Sequence, residues 1–162
     1  MKERFENFGF VRGAGILLPV SSLPSKYGIG NFGKCAFDFI DFLHATGQRC
    51  WQVLPLNPTS YGDSPYQSPS STAGNPYFIC PEILYFDGLI TKDELKSAEN
   101  NSERVDYGWL FNTRYALLRL AHSRFKESEQ YLDFVKKNRA WLEDYALFMA
   151  LKTSHGYAEW VS

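Results

Sequence analysis

The chain of 162 residues has no surplus of either charge: 17 Lys+Arg stand against 18 Asp+Glu, a formal net charge of −1. That balance offers no basic field for nucleic acid and no acidic tail. Cysteine is scarce and odd in number, with three residues, Cys35, Cys50 and Cys80, and no C-x-x-C spacing. This excludes a disulfide framework and a zinc site of the usual spacing, and it predicts reduced thiols in a cytoplasmic protein. No apolar run comes near the roughly 18 residues that span a membrane, so no membrane association is expected. Met1-Lys2-Glu3-Arg4 leads into no apolar core segment, and a signal peptide is not expected. The sequence holds no G-x-S-x-G, H-E-x-x-H or P-loop, and its three histidines, His44, His122 and His155, have no carboxylate or thiol at metal-ligand spacing.

What the chain has in excess is aromatic rings: 13 Phe, 10 Tyr and 4 Trp, 17% of all residues. Phe and Trp mostly build cores. Several of the tyrosines sit among Gly, Ser, Pro and Asn, where a core is not expected.

Patterning predicts an α/β opening. Gly15 to Val20 reads as a short strand buried on both faces. Ala36, Phe39, Ile40 and Leu43 fall at helical spacing within Lys34–Thr46, and Gly47 is a natural stop. Cys50 to Leu54 reads as a second strand, closed by Pro55. Strand, helix and strand over about 40 residues form a βαβ unit with parallel strands. Ile79–Leu84 is a third strand candidate. Further on, Thr91 and Glu94 form a capping box, and Asp106 caps a helix to about Phe125 with Leu110, Leu117, Leu118, Ala121 and Phe125 on one side. Ser128–Lys137 reads as a short helix, and Asn138 as the cap of a last one stopped by Gly156. The segmentation is then a βαβ unit over residues 12–56, a loop over 57–80 and a mostly helical part over 81–162.

Gly28-Ile29-Gly30-Asn31-Phe32-Gly33 matches G-x-G-x-x-G and precedes a helix. A dinucleotide fingerprint places its glycines directly after the first strand and an acid at the end of the second. Seven residues intervene here, and the second strand ends in Val53-Leu54-Pro55-Leu56. The glycines are expected to shape a tight loop, not to cradle a nucleotide for an oxidoreductase.

The loop carries the chemistry. It follows a parallel strand, at the sheet end where α/β folds bind ligands. Tyr61, Tyr66 and Tyr77 supply rings with a polar tip, and Asp63, Ser64 and Gln67 supply groups that match hydroxyls. A pyranose has a C–H face for the first set and a hydroxyl rim for the second. Asp63 before Pro65 and Asn75 before Pro76 also suit plain turns, so the residues fit a sugar loop and a structural loop equally.

At this point the order of motifs resembles a known family. Gly15-Ile16-Leu17-Leu18-Pro19-Val20-Ser21-Ser22-Leu23-Pro24, Tyr27-Gly28-Ile29-Gly30, Trp51-Gln52-Val53-Leu54-Pro55-Leu56, Tyr61-Gly62-Asp63-Ser64-Pro65-Tyr66-Gln67-Ser68 and Ala73-Gly74-Asn75-Pro76 closely resemble the 4-alpha-glucanotransferases, or amylomaltases. The match runs in order from about Arg12 to Tyr77 and more loosely through Val105-Asp106-Tyr107-Gly108 to the end. The resemblance implies the opening βα units of a (β/α)₈ TIM barrel with a helical insertion. It implies an enzyme that moves segments of α-1,4-glucan between sugars by a retaining mechanism with no cofactor. Its partners are maltooligosaccharides and glucose.

Position by position, the resemblance places Tyr66 beside the scissile-bond subsites with Ser64 near it, and Asp63 and Gln67 on the same substrate loop. It places Tyr61, with Tyr107 as partner, at a secondary glucan site. Ser60 and Pro69 depart from the Gly and Phe common there. The family's three catalytic carboxylates come from later strands and have no counterpart here, which implies the opening part of a transferase, inactive alone. The rival expectation is a non-catalytic maltooligosaccharide-binding module.

Overall fold

The structure is a computed structural model and describes residues 13–158. Two strands, β1 (Gly15–Leu17) and β2 (Cys50–Gln52), pair in parallel with Gly15 opposite Cys50, Ile16 opposite Trp51 and Leu17 opposite Gln52. Helix α1 (Lys34–Ala45) connects them, as the hydrophobic spacing predicts. The Trp51 indole Nε1 donates to the Leu18 carbonyl at 2.8 Å and locks the register from the side-chain level.

Both strands are shorter than the sequence suggests. Pro19 has no N–H to give to a ladder, and Val20–Ser22 turn into a single 3₁₀ turn behind it. Nor is β1 buried on both faces: Leu17 is 55% exposed. One βαβ unit supplies one covering helix, and a strand needs neighbours on each side to be enclosed. On α1, Ala36 and Leu43 are buried and Phe39 packs edge-on against Trp51 at 5.0 Å, but Ile40 is 48% exposed and lies outside the core.

The third strand candidate is a helix. Pro81 sits in the first turn of α2 (Pro81–Phe86), where its missing N–H costs nothing and its fixed φ suits the helix. Helix α3 (Lys92–Ser97) carries the predicted capping box: Glu94 N–H donates to Thr91 Oγ1 at 3.3 Å and Thr91 N–H to the Glu94 carboxylate at 2.7 Å. Helix α4 (Tyr107–Arg124) is capped by Asp106, which accepts from Trp109 N–H at 2.9 Å.

Beyond Ser128, which caps through Tyr131 N–H, one continuous helix α5 (Glu129–Ser154) replaces the two expected. Asn138 lies inside it. Its amide donates to the Phe134 carbonyl at 2.8 Å and its oxygen accepts from the Trp141 indole at 3.0 Å, so the side chain is satisfied without breaking the helix.

Two clusters form the core. Val20, Leu23, Ile29, Ala36, Tyr77, Phe78 and Leu110 make the first; Tyr27, Ile90, Ala98, Leu117 and Ala121 make the second. Helix α4 feeds both, through Leu110 at one end and Leu117 and Ala121 at the other. No helix among the described residues is long and apolar enough to cross a membrane.

Candidate functional site

The loop after β2 is ordered by its own polar side chains. Asn75 N–H donates to the Leu56 carbonyl at 2.8 Å, which brings the loop's ends together, and the Asn57 amide donates to the Ala73 carbonyl at 3.0 Å. Asn75 is buried and accepts from Tyr77 N–H at 2.9 Å, capping the 3₁₀ turn Pro76–Phe78. The structural role suggested for Asn75 by the sequence is therefore real. At the tip, Tyr61–Asp63 form another 3₁₀ turn, with Asp63 N–H donating to the Ser60 carbonyl at 3.1 Å. Gly62 and Asp63 have φ of 76° and 54°, left-handed values that Gly adopts freely and Asp tolerates.

That turn leaves Asp63 exposed at the rim of two spaces. Asp63 lines a small cavity of about 110 Å³ at the carboxyl ends of both strands, beside Val20, Ser21, Leu54 and Leu56. It also lines an open cleft of about 670 Å³ between the loop, the start of α4 and the end of α5. Tyr107 lines both as well. Burial raises the Asp63 carboxyl above its ordinary value. Burial likewise raises the Tyr107 phenol, and the Asp63 carboxylate raises it further. Ser64, Tyr66 and Gln67 line neither space. They form an outward turn in which Ser64 Oγ accepts from Tyr66 N–H at 3.3 Å, the Ser64 carbonyl accepts from Gln67 N–H at 3.1 Å, and Tyr66 is 73% exposed.

The cleft floor is a run of rings that sequence reading did not assemble. Tyr107 stands 6.2 Å from Tyr77, Tyr77 5.8 Å from Tyr115, Tyr115 5.5 Å from Phe111, and Phe111 5.2 Å from Tyr157. Burial pushes the Tyr115 phenol up to about 12 and raises Tyr77 as well, so both stay protonated donors at neutral pH.

Arg114 was also missed, because it interrupts the apolar stripe of α4 between Leu110 and Leu117. It is 2% exposed. Its guanidinium donates to three carbonyls: Tyr77 at 3.2 Å, Ile79 at 2.7 Å and Tyr27 at 3.0 Å. Desolvation lowers it to about 10, still charged at neutral pH. The end of the loop is thereby tied to the helix that carries the rings.

The glycine string serves packing. A Cβ on Gly30 would overlap the Val20 carbonyl oxygen, and one on Gly33 would press on Cys80 and Asn31. His44, His122 and His155 are all exposed. Among the described residues, no group of three or more His, Cys, Asp or Glu could hold a metal ion.

A model of the 4-alpha-glucanotransferase family matches residues 18–162. The chain belongs to the 4-alpha-glucanotransferase family. It is 50% identical over 147 residues to the 4-alpha-glucanotransferase of Clostridium butyricum, covering 88% of this chain and 30% of that protein. Identity to the Thermus thermophilus 4-alpha-glucanotransferase is 46% over 155 residues, covering 92% and 30%. The amylomaltase of Streptococcus agalactiae, solved in complex with acarbose, superposes with a TM-score of 0.84 at 40% identity, over 91% of this chain and 31% of that one. The chain thus spans about 30% of the length of these relatives.

Proposed function

We propose that this chain supplies part of the glucan cleft of a 4-alpha-glucanotransferase, an enzyme that transfers segments of α-1,4-glucan to an acceptor sugar with retention. The observation that carries this is the placement of Asp63 and Tyr107 where the carboxyl ends of two parallel strands open onto a ring-lined cleft. In a (β/α)₈ barrel that is the catalytic end. Strands β1 and β2 then serve as the first barrel strands, within residues 12–56. Residues 57–80 form the substrate-cleft loop, and 81–162 the helical insertion. The acarbose complex of the Streptococcus agalactiae amylomaltase supports maltooligosaccharides as ligands. Three unpaired thiols suit a cytoplasmic setting.

The roles divide by which residues line the two spaces. Tyr66 and Gln67, both exposed, and the half-buried Ser64 lie outside both spaces and meet glucan together with groups beyond this chain. Asp63 is the polar anchor inside the cleft. Tyr107 lines the cleft, and the family resemblance assigns it to a secondary glucan site together with Tyr61, whose side chain lies outside the described residues. A retaining mechanism needs two carboxyl groups about 5–5.5 Å apart across the scissile bond. Asp63 is the one carboxylate lining either space among the described residues, which favours binding without chemistry for these residues alone.

Kinetics of a joined protein test the assignment. The 162 residues are fused after Ser162 to the remaining part of the Clostridium butyricum relative. Tyr66→Ala is expected to lower kcat/KM for maltotriose at least about tenfold, and Tyr66→Phe to recover much of it. An unchanged kcat/KM in Tyr66→Ala would remove Tyr66 from the site.

A further inference from the structure

The buried stripe of α4, Leu110, Leu117 and Ala121, is interrupted by one cation, Arg114. A buried charge is costly unless its donors are used, and well-packed apolar residues often replace one with no loss of stability. Arg114 joins no ion pair among the described residues. It lines neither the small cavity nor the cleft. Its partners are backbone carbonyls, those of Tyr77, Ile79 and Tyr27. What such a residue adds is the placement of the segments it holds.

Two of those carbonyls stand at the root of the substrate loop. Tyr77 is held on both sides by buried side chains. Its N–H donates to Asn75 Oδ1 at 2.9 Å, and its carbonyl accepts from Arg114 Nη1 at 3.2 Å. Asn75 N–H in turn donates to the Leu56 carbonyl, just past β2, at 2.8 Å. One line of hydrogen bonds thus runs from the end of β2 through Asn75 and Tyr77 to α4.

The tip of the loop is shaped by bonds among its own residues. Asp63 N–H donates to the Ser60 carbonyl, Gln67 N–H to the Ser64 carbonyl, and Ala73 N–H to Ser70 Oγ. Such bonds fix the shape of the tip and not its place against α4. That place is set at the root, and a displacement of about 1 Å at a group that meets substrate can cost a large factor in rate.

We propose that Arg114 is a positioning residue of the transferase: by holding Tyr77 to α4, it sets the loop that bears Asp63 and Tyr66 against Tyr107. This rests on the glucan reading above and adds to it a residue that touches no glucan. The loop brings binding groups and no pair of carboxylates. Its displacement therefore weakens the ground state and the transition state alike, so KM rises while kcat holds.

The test is steady-state transfer from maltotriose by the fused protein described above, well below each variant's measured Tm. Arg114→Met and Arg114→Gln are expected to raise KM about tenfold with kcat within about twofold. Arg114→Lys keeps the charge and loses the planar fork, and should raise KM about threefold. Arg124→Met is the control on the same helix: Arg124 bonds Glu94 and the Leu89 carbonyl, away from the loop. It should lower Tm and keep the parent's KM and kcat. A purely structural Arg114 would behave like Arg124, with a lower Tm and a parental KM. Parental KM in the Arg114 variants that fold would overturn the proposal, and Arg114→Lys alone suffices for this where the other two do not fold. An equal rise in Arg124→Met would overturn it as well. With an active parent fusion these results strike only Arg114. A parent fusion that transfers nothing would overturn the transferase reading and this proposal with it.

Discussion

Arg114 on α4 donates from Nη2 to the carbonyl of Tyr27, 87 residues earlier in the chain, at 3.0 Å. The same guanidinium holds the carbonyls of Tyr77 and Ile79. Two segments distant in the chain, at Tyr27 and at residues 77–79, are thus fixed to the helix that bears Tyr107, Phe111 and Tyr115. Removing the donor strands three carbonyls in a closed space. Arg114→Met is expected to cost about 3–5 kcal/mol, with Arg114→Lys recovering part of it. Urea unfolding of the three proteins measures this, and a loss below about 1 kcal/mol in Arg114→Met would contradict the tie.

Glu94 and Arg124 make a two-pronged pair, 2.6 Å and 2.8 Å, on the capping box of α3. Hydrogen bonds from Arg124 and from the Thr91 backbone lower the Glu94 carboxyl to about 2 from its ordinary 4.5. A depressed acid adds stability that is fully present above its unfolded value and disappears as pH falls through its folded one. The contribution is therefore constant above about pH 5 and lost between about pH 4.5 and 2. Carboxyl NMR of Glu94 should show a midpoint near 2, returning toward 4.5 in Arg124→Gln. An ordinary midpoint in the parent chain would contradict the pairing.

Glycine substitutions separate packing from nucleotide binding. Gly30→Ala places a methyl group on the Val20 carbonyl and should cost at least about 2 kcal/mol. Gly74 has open space where a Cβ would go, and Gly74→Ala should stay within about 0.5 kcal/mol of the parent or gain slightly. NADH fluorescence should not change on titration with the protein.

Much of this local structure is readable in the sequence because it rests on neighbours in the chain. Thr91 with Glu94, Asp106 with Trp109 and Gly47 after α1 are all contacts within a few residues. What was misread depends on distant partners or on their absence. Ile79–Leu84 carries a strand's composition, yet Pro81 and the packing of its surroundings make it a helix. Ile40 keeps helical spacing but finds nothing to cover it. Asn138 looks like a cap, and only Trp141 and Phe134 in three dimensions show it satisfied inside a helix. The site divides in the same way. The loop with Asp63 and Tyr66 stands out as one string, whereas Tyr115, Phe111 and Tyr157 join it only through the packing of α4 and α5.

The apolar surface left bare around the small sheet has a consequence in solution. Leu17 is 55%, Phe37 62% and Ile40 48% exposed on one βαβ unit. Each strand also has an unpaired edge among the described residues. The 162-residue chain should self-associate as its concentration rises, and Phe37→Lys with Ile40→Lys should shift it toward monomer at unchanged helix content. Sedimentation velocity reads both, and a strictly monomeric parent chain would contradict this.

The most direct measurement is transfer from maltotriose. The 162 residues alone should release neither glucose nor longer oligosaccharides, because among the described residues no second carboxylate lines either space with Asp63. The same residues fused after Ser162 to the remaining part of the Clostridium butyricum relative should produce both. Transfer by the chain alone, or none by a soluble fused protein, would contradict the account.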